Sequence, residues 1–220
     1  MGDIENRRPS RHRYIAVAAM SVMLAALASA IIELPDLLTP AASDPVAPVP
    51  TGLAPTGVQA LPYLAGASLL TALVEELVFR GLLLRAVLRV CKPKATILIT
   101  AAVFAALHAI PVGIQNTPAL GYIVASLSLK FLQALAFGVI LAAILFCGGN
   151  LPGVIALHAV FDCIYFAGSV LTTGDFPATY ATTNFASIGA LAASTIIMAA
   201  PAALAFRFPN ANLALQTPSA

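Results

Sequence analysis

Apolar residues run through this chain in six blocks, 14–32, 61–88, 95–110, 121–146, 152–171 and 185–206, each closed off by a polar or proline-rich stretch. At 1.5 Å of rise per residue, every block is long enough to cross, or nearly cross, a hydrocarbon layer roughly 30 Å thick. None alternates apolar and polar residues with the period of two that a membrane barrel strand requires, so the blocks are helices. The pattern predicts an all-α fold, a polytopic transmembrane helical bundle of about six spans. The segment "LPDLLTPAASDPVAPVPTGLAPTG" reads instead as an extended, solvated loop, because repeated proline removes backbone donors.

Composition narrows the function classes. Of 220 residues, 60% are hydrophobic and 9% charged, where a soluble domain carries roughly a quarter charged. The polar remainder is too short for a second core, which leaves one membrane domain with the lipid bilayer as its first partner. A net charge of +2, with the basic residues beside apolar blocks, offers no nucleic-acid surface. Cys91, Cys147 and Cys163 have no CxxC spacing and read as packing residues.

Orientation follows from lysine and arginine, which are retained in cytoplasmic loops. Arg7, Arg8, Arg11 and Arg13 precede the first block, Arg85, Arg89, Lys92 and Lys94 follow the second, and Arg207 follows the sixth. All three clusters fall on one side of a six-span chain. The 33–60 loop holds Glu33, Asp36 and Asp44 without a basic residue, and "IPVGIQNTP" is uncharged, so both are expected outside. These signs predict an integral, multi-pass protein of a bacterial inner membrane with both termini cytoplasmic. The first block, with its basic flank and "ASA" at 28–30, also fits a cleaved signal peptide; we read it as an anchor.

Ionisable residues inside the blocks carry the chemistry. They are Glu75, Glu76, Arg80, Arg85, His108, Lys130, His158 and Asp162, and such groups are costly in lipid unless they face protein or water. Counted from the cytoplasmic ends, the glutamates lie roughly 25 Å deep, Arg80 and His108 about 20 Å, and His158 to Asp162 about 12–18 Å. Three helices can therefore meet in one intramembrane polar cavity. Glu76 and Arg80, four apart, can form a structural pair, which turns Glu75 elsewhere. His158 and Asp162 share a face by the same spacing, and Phe104 lies one turn before His108, where its ring can pack beneath the imidazole. Singly, each polar group could be a satisfied interhelical hydrogen bond. Gathered at one depth, they read as a site.

The motifs "EELVFR", "FAALH" and "HAVFD", that is EExxxR, FxxxH and HxxxD in order on successive helices, resemble those of the CPBP family, the type II CAAX prenyl endopeptidases and their bacterial relatives. The resemblance covers about half the chain. It implies an all-helical intramembrane peptidase with a cavity open to the cytoplasmic leaflet, in which Glu75 and His108 activate water and His158 and Asp162 stabilise the oxyanion. Glu76, Arg80 and Phe104 would support that site. Many members carry asparagine where this chain has Asp162. The division that follows is 1–60 (basic N-terminus, first anchor, proline-rich loop), 61–171 (catalytic membrane core) and 172–220 (external loop, last helix, short tail).

Peptide hydrolysis asks for these residue types in its own right, since it needs a base for water and donors for the tetrahedral oxyanion. Two imidazoles and two carboxylates could equally bind a divalent metal such as Zn2+ through Glu75, His108, His158 and Asp162; the sequence leaves that choice open. Other intramembrane protease signatures are incomplete, with no HExxH, a "GASL" at Ser68 short of GxSG, and a "TGD" at Asp175 short of GxGD. Lys130 and Gln133 are expected at the outer interface, the lysine reaching to headgroups, with no chemistry. Arg85 and Arg89 are expected against the inner headgroups. The expected function is an intramembrane endopeptidase acting on a membrane-associated protein or peptide. The alternatives are a non-catalytic binding or immunity-type relative and, further off, a small proton-coupled transporter.

Overall fold

The computed structural model describes residues 11–38, 55–111, 120–174, 176 and 181–207. Every regular element among them is helical: α1 (Arg11–Leu38), α2 (Leu61–Glu76), a π-helical segment (Leu77–Leu83), α3 (Leu84–Leu88), α4 (Pro93–His108), α5 (Leu120–Phe146), α6 (Leu151–Thr173) and α7 (Phe185–Ala205). A 3₁₀ turn, Gly57–Ala60, leads into α2. Because α2, the π segment and α3 run on without a break, the described residues form six helical rods, matching the six apolar blocks. Four of them, α1, α5, α6 and α7, are each long and apolar enough to cross a membrane. The protein is an integral membrane protein.

Local chemistry explains most of the ends. Pro93 opens α4 and Pro152 lies in the first turn of α6, positions where a missing N–H costs nothing. Asn150 caps α6, its side chain accepting from the Gly153 N–H at 2.8 Å, and Gly174 closes it in the left-handed conformation that glycine adopts without strain. Asn184 caps α7 in the same way as Asn150 caps α6. One boundary differs from expectation. Helix α1 continues through Glu33 to Leu38 instead of ending near residue 32, because charge ends a hydrophobic span without ending a helix whose backbone can still bond to itself. Residues 39–54 of the expected outer loop, and 112–119 of the second, lie outside the described residues.

The rods close a ring. In contact order α2 packs on α6, α6 on α1, α1 on α7, α7 on α5, α5 on α4, and α4 on α3 and the π segment. Lipid tails are as apolar as leucine, so close packing replaces the hydrophobic effect as the force between these helices. On α1 the buried stripe is small, Ala18, Val22, Ala25, Ala26 and Ser29, while Met20, Leu24, Leu27 and Ile31 are exposed, as a lipid-facing side requires. Tyr14 Oη donates to the Pro201 carbonyl at 3.2 Å and Ser29 Oγ to the Ala190 carbonyl at 3.3 Å, tying α1 to α7 near both ends. Helices α4 and α5 approach tightly at Gly138, where a Cβ would stand 3.1 Å from the Ala101 Cα.

Candidate functional site

The last turn of α2 presents Glu75 and Glu76, and the π segment that follows presents Arg80. Glu76 is fully buried and its Oε1 takes Arg80 Nη1 at 2.8 Å, the pair expected from their spacing. Arg80 also donates from Nη2 to the Gly138 carbonyl at 3.3 Å and lies 4.8 Å from the centre of the Phe104 ring. A π turn holds one residue more than an α turn, and such turns recur at functional sites.

His158 on α6 meets the same carboxylate. Its Nδ1 donates to Glu76 Oε1 at 2.7 Å, while its Nε2 faces Glu75 Oε2 at 3.7 Å and Asp162 Oδ2 at 3.5 Å. His108 comes from the end of α4, with Nδ1 donating to the Phe104 carbonyl at 2.8 Å and Nε2 3.7 Å from Glu75 Oε2. Since that carbonyl can only accept, the His108 proton stays on Nδ1 and the Nε2 lone pair turns to Glu75. Phe104 stacks against His108 with ring centres 4.1 Å apart, as its spacing suggested, and Phe137 packs edge-on to His158 at 4.9 Å.

These groups line a cavity of about 100 Å³, roomy enough for several water molecules. Glu75, Phe104, His108, His158 and Asp162 are all on its wall; Glu76 and Arg80 stand behind it. Ser68 is buried on α2 and does not line it, and Asp175 lies outside the described residues.

Lys130 and Gln133 require a correction. Both line this cavity and are buried, Lys130 at 5% exposure and Gln133 at 2%. Helix α5 starts ten residues before Lys130, which carries the lysine about 15 Å along the rod and into the bundle. The signal was present in the sequence, since Ser126, Lys130, Gln133 and Phe137 follow one another at helical spacing on a single buried stripe. Arg85 and Arg89 are exposed, as headgroup contacts would be.

Among the described residues, no three histidine, cysteine, aspartate or glutamate groups are placed to hold a metal ion. The three cysteines form no disulfide, with Cys147 buried and the other two half-buried.

The three motifs thus stand around one cavity in a helical membrane bundle. Residues 57–164 match a family model described as type II CAAX prenyl endopeptidase Rce1-like. The chain carries an Rce1-like domain. The match bears out the resemblance drawn from the motifs, and this Rce1-like stretch contains every residue named above on the cavity wall. Helices α1 and α7 lie outside it. Neither a curated protein nor a solved structure matches the chain. An Rce1-like domain in an integral membrane protein indicates a membrane peptidase of the CAAX endopeptidase type.

Proposed function

We propose that this Rce1-like protein hydrolyses a peptide bond of a membrane-associated protein or peptide, with water activated by Glu75 and His108. The observation that carries the reading is the position of Glu75 Oε2, 3.7 Å from the Nε2 atoms of both His108 and His158 in one cavity. Such gaps exceed a direct hydrogen bond, and a water in the cavity beside them can reach the carboxylate and an imidazole together. Glu75 takes a proton from that water, the oxygen adds to the peptide carbonyl carbon, and the carbonyl electrons move on to oxygen. His158 and Asp162 stand on the side where this oxyanion forms. The C–N bond then breaks as the leaving amine receives the proton from Glu75. Glu76 accepts from His158 Nδ1, so it fixes the ring orientation that presents Nε2 to the site.

The core is assigned to residues 61–171, with flanking parts 1–60 and 172–220. The basic clusters support cytoplasmic termini in a bacterial inner membrane. The experiment is mass spectrometry of membrane-protein termini in cells carrying the wild-type chain or Glu75→Gln. New termini that vanish with Glu75→Gln, while the variant accumulates normally, are the expected result. Unchanged termini in the variant would end the assignment of Glu75 as base.

A further inference from the structure

Three carboxylates, Glu75, Glu76 and Asp162, surround the place where a further negative charge must develop. Arg80 lies on Glu76. Glu75 is neutralised by the proton it takes from water, but ionised Asp162 has only acceptor oxygens and opposes an oxyanion. The cation on the cavity wall is Lys130, set among these groups and acting electrostatically on both Asp162 and Glu75.

Its mounting is elaborate for a packing residue. Lys130 Nζ donates to Gln133 Oε1 at 3.0 Å, Gln133 Nε2 donates to Ser194 Oγ at 2.6 Å, and Ser194 Oγ donates to the Ala190 carbonyl at 2.7 Å. The ammonium also lies 5.2 Å from the centre of the Tyr165 ring, within range of cation–π attraction. Each of these polar side chains is buried. In the membrane interior such a charge is retained only where it is held and used.

Resting on the reading of Glu75 as the base, we propose that Lys130 is a catalytic residue. Its ammonium stabilises the oxyanion, and Gln133 with Ser194 holds it there from α7. The ammonium keeps its protons throughout. It meets the charge when water adds to the carbonyl, and the charge leaves when the C–N bond breaks.

The test uses the full chain in nanodiscs with a pool of quenched-fluorescent hydrophobic peptides. Lys130→Met is expected to lower kcat about 100-fold or more with KM within about threefold, the scale for losing one oxyanion donor. Lys130→Arg keeps the charge and is expected to stay within about tenfold of wild type. Adding Asp162→Asn to Lys130→Met removes the facing charge, supplies an amide donor and is expected to recover kcat at least about tenfold over the single variant. That double variant removes the Asp162 charge left facing a missing partner; if the single variant fails to accumulate, the comparison is with Asp162→Asn alone, against which the double variant is expected to lose kcat about tenfold or more, and an equal kcat overturns the proposal. A folded Lys130→Met with kcat within about threefold of wild type, or a loss that lies in KM alone, overturns the proposal. Glu75→Gln is run beside it. If Glu75→Gln is dead while Lys130→Met is fast, only Lys130 is wrongly assigned; if Glu75→Gln still cleaves, the base itself is.

Discussion

His158 Nδ1 lies 2.7 Å from Glu76 Oε1, the same oxygen that Arg80 reaches at 2.8 Å. One fully buried carboxylate atom therefore both neutralises a guanidinium and orients an imidazole of the cavity, joining α6 to the second rod. Structural support and the geometry of the cavity wall meet in a single oxygen.

Removing that oxygen should separate the two roles. Glu76→Leu leaves Arg80 buried without its partner, a change that typically costs about 3–5 kcal/mol, and is expected to lower the amount of protein in the membrane sharply. Glu76→Leu with Arg80→Met removes both charges and should restore much of the abundance. Activity should stay low in the double variant, because His158 has lost its orienting acceptor. Immunoblotting of membranes alongside peptide cleavage checks both halves, and a double variant with full activity would contradict the orienting role.

At Gly138 the expected effect is steric. A valine there meets the Ala101 backbone, since even its Cβ would stand 3.1 Å from the Ala101 Cα. Overpacking of this kind costs roughly 1–3 kcal/mol. The Gly138 carbonyl that accepts from Arg80 would shift with it. Thermal unfolding of purified protein should show a lower midpoint for Gly138→Val, with Gly138→Ala in between.

Asp162→Asn addresses the metal alternative. If position 162 serves the oxyanion side without a metal, the amide can donate at any pH, and cleavage should continue in EDTA and fall off less at high pH than in the wild type. An anionic metal ligand would behave in the opposite way, because an amide is the poorer ligand and the variant would need excess zinc to act. Cleavage of a reporter peptide across pH, with and without chelator, decides.

Topology can be read by labelling. In a background without native cysteines, Lys94→Cys should react with an impermeant maleimide only after the inner face is opened, as the basic clusters require. Strong labelling of intact cells would invert the proposed orientation.

Much of this was legible in the chain. The rods follow the apolar blocks to within a few residues, because burial and lipid select the same residue types over whole turns, and the Glu76–Arg80 pair and the Phe104–His108 stack follow from spacing alone. Glu76 against His158 was not legible, since 82 residues separate them and helical periodicity says nothing of which faces meet across a bundle. Lys130 was misplaced for a related reason. A lysine early in an apolar block resembles one reaching for headgroups, and it is the burial of the stripe it shares with Ser126, Gln133 and Phe137 that shows it lies inside.

The π segment gives the second rod two allegiances. Its first piece, α2, packs on α6 and its last piece, α3, packs on α4, with Leu77–Leu83 between them. Adjacent on the chain and turned about 100° from each other, the two glutamates look different ways from that last turn: Glu75 into the cavity and Glu76 toward the guanidinium and imidazole that share its oxygen.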